Sequence, residues 1–145
     1  MSYAAEYSEL AGAFSTGWKT TVVAPAVAKV LTPIAWPNVA FTPPVASSWV
    51  RFNILPSGSN LMTVGAPGNN LTRYSGIVVV QIFTPLNTDD SALLAYADKV
   101  LAIFRNYHTT TIRFGSIYSV KTSNSEEDGW NQINVMAPFI RNEYE

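Results

Sequence analysis

The chain has 145 residues and a formal net charge of −1, the length of a single domain that buries about 70% of its unfolded surface around one core. It contains no cysteine, which excludes disulfide scaffolds, thiolate metal sites and cysteine nucleophiles. It also lacks the cationic excess with which proteins grip phosphate backbones.

Only 13% of the residues are charged, against about 25% in ordinary domains. Two readings fit: a surface of neutral polar side chains, or a surface largely covered by other subunits, since interface centres are depleted in charge. The opening "MSYAAEYSEL" has glutamates where a secretory leader needs a basic segment and an apolar run. No apolar run approaches the ~20 residues of a bilayer span.

In chain order, residues 3–22 predict an amphipathic helix, with Tyr3, Tyr7, Leu10, Ala11, Phe14, Trp18 and Val22 on one face. Ser2 is the expected cap, and Pro25 the expected stop. "PAVAKVL" (25–31) is compatible with one further turn. "AWPNVAFTPP" (35–44) follows, a connector that three prolines keep out of helix and that is too apolar for a loose tether. Ile34–Trp36 reads as a short edge strand. Trp49–Leu55 alternates as a half-buried strand, with Pro56 as its expected end. Residues 57–72 read as a long polar connection that nonetheless carries Leu61, Met62 and Val64.

Tyr74–Thr84 is the strongest strand signal, apolar on both faces and so central in the sheet. Thr88 is the expected cap of a helix from about Asp89 to Asn106, buried through Leu93, Ala97, Val100, Leu101 and Phe104. Two strands, Thr111–Thr122 and Trp130–Ile140, are joined by the polar turn "SNSEEDG". The tail "RNEYE" reads as exposed. This order predicts one α+β domain over residues 1–145, a mainly antiparallel or mixed sheet with both helices on one face.

Reactive chemistry finds little support. His108 is the only histidine and reads as a surface residue at a helix end. "GAPGNN" (65–70) lacks the Gly-Lys-Ser/Thr of a phosphate loop and reads as turn chemistry. Glu126, Glu127 and Asp128 lack the spacing of a cation loop and read as a solvated turn. No catalytic residue, cofactor site or metal site is expected.

Three segments in order, "IAWPNVAFTPP" with "SWVRFNILP", "RYSGIVVVQIFTP", and "EDGWNQINVMAPFIRNEY", resemble the bacteriophage tail-terminator-like family, similar to the lambda-type terminator. "TVVAPAVAKVLTP" (21–33) departs from the pattern by separating the first helix from the tryptophan-containing strand. The resemblance implies a structural virion protein and no enzyme. Such a protein forms a ring, a homohexamer, that caps the head-proximal end of the tail tube, stops its elongation and presents a surface for head joining. It implies as partners the chain itself, the tail tube protein and a head completion or neck protein, with DNA passing through without tight binding and no membrane. Leu61, Met62 and Val64 are then candidate contacts to a neighbouring subunit or the tube. Glu126, Glu127 and Asp128 are candidate acids lining the channel. Two alternatives stay open: a neck protein of similar fold, or a monomeric module binding a small ligand near Trp49 and Trp130.

Overall fold

The computed structural model describes residues 2–20, 32–44, 47–86, 90–121 and 129–145. Its elements run α1 (Tyr3–Thr20), β1 (Ile34–Ala35), β2 (Trp49–Leu61), β3 (Leu71–Pro85), α2 (Ser91–Arg105), β4 (Ile112–Phe114), β5 (Tyr118–Lys121) and β6 (Trp130–Tyr144). The sheet order is β1-β2-β3-β6-β4, with β5 also on β6. β1 pairs parallel with β2 and every other pair is antiparallel. The α+β expectation is met: among the described residues the chain forms a mixed sheet of six strands with two helices.

One face of the sheet and both helices share the main core. Leu10, Phe14 and Trp18 of α1 and Leu93, Ala97, Val100 and Phe104 of α2 meet Val50, Phe52, Val78, Val80, Ile82, Ile133, Val135 and Ala137. Phe14 stacks between Phe52 and Phe104, at 5.2 and 6.0 Å between ring centroids. The two helices touch so closely at Gly17 that a Cβ there would lie 2.8 Å from Ile103. Ser2 caps α1 through its hydroxyl, which accepts from the Ala5 N–H. At the other end Lys99 Nζ donates to the Trp18 carbonyl at 2.8 Å, where a cation suits the helix dipole. Burial there pulls the Lys99 pKa below its ordinary value.

The proline-rich connector crosses the edge of the sheet and plugs both faces. Trp36 packs with Phe14 and Phe52 in the main core, whereas Ala35 and Phe41 join Trp49, Phe83 and Trp130 on the opposite face. The chain reverses between them in a turn closed by the Val39 N–H on the Trp36 carbonyl, with Asn38 at φ 55°. Pro37 then Asn38 are the residues a type II turn asks for at its two centres. Three prolines in the connector therefore fix which side of the sheet each aromatic reaches.

Four expectations need correction. Pro56 does not end β2, which runs to Leu61 through a bulge between Pro56 and Gly58. Beyond its first residues β2 has no outer neighbour among the described residues, and an edge strand with a bulge tolerates a missing N–H. The connection expected over 57–72 is consequently strand at both ends, and only 62–70 is loop. The strand expected over Thr111–Thr122 is split into β4 and β5. Pro138 lies opposite the break and brings no N–H to the ladder, while its carbonyl accepts from Gly115. The tail is not exposed through its length, because Arg141 to Tyr144 continue β6 beside β3. The position before α2 is Asp90, whose carboxylate makes no cap bond; it is held instead by Lys121 and Asn131. Those bonds, Lys121 first, lower the Asp90 pKa. The suggested turn at 25–31, the cap Thr88 and the turn "SNSEEDG" up to Asp128 lie outside the described residues.

Candidate functional site

β2, β3 and β6 extend beyond the helices as a three-stranded arm. The bulge at Pro56/Gly58 shifts the alternation by one residue, so Leu61 faces the helical side although the strand before the bulge predicts otherwise. Gly76 sits opposite Phe139, and a Cβ there would lie 2.7 Å from the Phe139 ring and 3.2 Å from the Leu55 carbonyl. At the tip the Met62 N–H donates to the Leu71 carbonyl at 2.8 Å, and Asn70 and Glu145 exchange both backbone bonds. The Asn70 side chain accepts from the Ala66 N–H, and the Thr63 hydroxyl accepts from the Leu71 N–H. Gly65 and Gly68 take positive φ, 98° and 84°, which glycine supplies without steric cost. The tip is therefore held in one shape by its own bonds, and little entropy remains to be lost on docking.

That held tip exposes apolar side chains. Val64 is 80% exposed and Leu61 58%, and Met62 and Tyr144 are exposed as well. The sequence singles out Leu61, Met62 and Val64, and the structure places all three at the end of the arm. Tyr144 escapes sequence reasoning because the tail reads as solvated. Glu126, Glu127 and Asp128 lie outside the described residues. His108 is exposed beyond α2, and no cluster of metal-ligating side chains occurs among the described residues.

The root of the arm is locked by charge. Arg141 is 1% exposed, and its guanidinium donates to Glu6 of α1 and to Glu143. It also lies 4.3 Å from the centre of the Tyr74 ring and 5.3 Å from that of Tyr3. Burial opposes its charge, yet the bonds to the two glutamates prevail and its pKa rises. The first turn of α1 is thereby tied to the arm.

The sheet face away from the helices is only partly covered. At one end Trp49 stacks on Phe83 at 4.0 Å between centroids, and Arg51 lies over both rings. Further along, the register places Leu55, Ile77 and Pro138 in one row and Val79, Met136 and Tyr118 in the next. Leu55, Tyr118 and Val120 are exposed. A groove of about 670 Å³ lies elsewhere, between α1 and α2, lined by small residues such as Gly12, Ala13 and Gly17.

A protein-family model described as "Phage tail terminator protein" matches residues 13–139. The chain belongs to the phage tail terminator family. It is thus a structural protein of a phage tail, placed in the virion and associating with other tail or head components. The chain also resembles a solved structure whose name is only a sequence identifier, with a TM-score of 0.70 and 19% identity over 100% of this chain and 99% of the other. That likeness shows the fold. No curated protein matches the chain. None of its described helices is long and apolar enough to cross a membrane.

Proposed function

We propose that this terminator is the ring-forming subunit, a homohexamer, that closes the head-proximal end of the tail tube, halts its growth and offers the head-joining surface. One observation carries the reading: a family member that works in tails ends its rigid arm in exposed apolar residues, Leu61, Met62 and Val64. Burying such a group against an adjacent subunit or the last tube ring is a hydrophobic contribution of about 25 cal/mol per Å². No reactive centre is needed for this role. Glu126, Glu127 and Asp128 are proposed to face the channel, where acidic side chains do not retain passing phosphates.

The test is co-assembly with tail tube subunits. A terminator added during polymerisation fixes tube length, whereas a neck protein of similar fold leaves elongation unchanged. The triple variant Leu61→Ser, Met62→Ser, Val64→Ser is expected to keep its circular dichroism spectrum and lose the effect on tube length. A triple variant that caps tubes as well as the parent counts against the arm.

A further inference from the structure

The described charges are sorted by face. The open face of the sheet carries Arg51, Arg73 and Arg113 and no described acid, by the register that aligns Arg51 with Gln81, Arg73 with Asn142 and Arg113 with Ile140. Glu6 lies in α1 and Asp98 in α2, on the helical side. Glu143 shares the helical side of the arm with Thr72, and the Glu145 carboxylate accepts from the Tyr74 hydroxyl there. The open face is also too apolar for a solvated one. An antiparallel sheet packed on one side ordinarily turns polar residues outward, yet here Tyr118 and Val120 are each 47% exposed beside Met136 and Pro138. Between the arginines the polar residues are uncharged, Asn53, Gln81, Gln132 and Asn134, the composition of an interface centre.

We infer that the open sheet face is the seat for the arm of a second copy of this chain, so that subunits join front to back. The inference rests on the ring-forming role proposed above and names the surface that receives the arm. The two patches complement each other. The arm end presents Leu61, Met62 and Val64 with the carboxylate of Glu145, and the open face presents an apolar strip flanked by Arg51 and Arg113, with no described acid beside them. Arg51 is held ready by the Trp49 and Phe83 rings, so its fork meets a carboxylate with little ordering left to do. The patches lie on different parts of one molecule. A contact between them is heterologous, uses each patch once per subunit, and builds a ring when its rotation closes.

The chain has no native cysteine, so engineered thiols report one contact without background. Val64→Cys marks the arm and Tyr118→Cys marks the open face. Each variant is purified, and disulfide formation is followed by non-reducing electrophoresis for each alone and for a 1:1 mixture, free and on tube ends. The inference expects a crosslinked dimer in the mixture at several-fold the yield of either variant alone. Equal or greater yields from the single variants mean that like patches meet, and overturn it. So does the absence of a crosslink in the mixture on tube ends. Tube length is read in the same samples. Tubes that are still capped without the mixed crosslink reject this surface and leave the terminator role intact. Uncapped tubes reject the role itself.

Discussion

Arg141 is the largest fully buried side chain among the described residues, and hydropathy points the wrong way for it. A buried cation is tolerated only when paired and bonded. Its partner Glu6 stands 135 positions earlier, a separation that no local pattern reveals, so the tail reads as solvated when it is strand. Removing one member of a buried pair costs more than removing both, because it strands a charge. Glu6→Gln is therefore expected to destabilise the fold by about 3 kcal/mol, the low end of the usual range, since Glu143 still faces the guanidinium. The double variant Glu6→Leu, Arg141→Met is expected to recover most of that loss. Urea unfolding of the three proteins measures it, and a double variant as unstable as Glu6→Gln rejects the account.

At the scale of elements, strong periodicity was legible and interruptions were not. The apolar face of α1, the double-sided β3 and the stripe of α2 follow from spacing alone. The length of β2 does not, because the weight of Pro56 depends on which side of the strand lacks a neighbour, a fact of topology. Likewise the split of β4 from β5 is written in Pro138, on the partner strand. The candidate site was half legible: three apolar residues in a polar stretch announced Leu61, Met62 and Val64, while Tyr144 and the open face needed the register. Gly76 tests how tightly the arm is fixed to the sheet. Alanine there improves strand propensity but meets the Phe139 ring and the Leu55 carbonyl. Overpacking of this kind costs about 1–3 kcal/mol, which outweighs the propensity gain. Gly76→Ala is expected to lower the urea midpoint with an unchanged slope; a raised midpoint means that the arm gives way easily.

On the scale of the whole molecule, charge sets how the proposed ring would treat passing DNA. The net charge is −1, and the open face gathers the arginines Arg51, Arg73 and Arg113. A duplex that touched all three displaces at most three condensed cations, so the logarithm of its affinity falls with the logarithm of salt at a slope of about −3 or shallower. Proteins that hold DNA through many phosphates show far steeper slopes. The free chain is therefore expected to bind duplex DNA weakly, with the signal gone near physiological salt. In the ring proposed above, covering the open face with a neighbour's arm is expected to remove even that contact, so that DNA passes without being held. Fluorescence anisotropy of a labelled duplex at stepped salt, with monomeric and assembled protein, measures both. A slope near −6, or tighter binding by the assembled form, places a basic surface around the channel and contradicts the passive passage that the charge distribution supports.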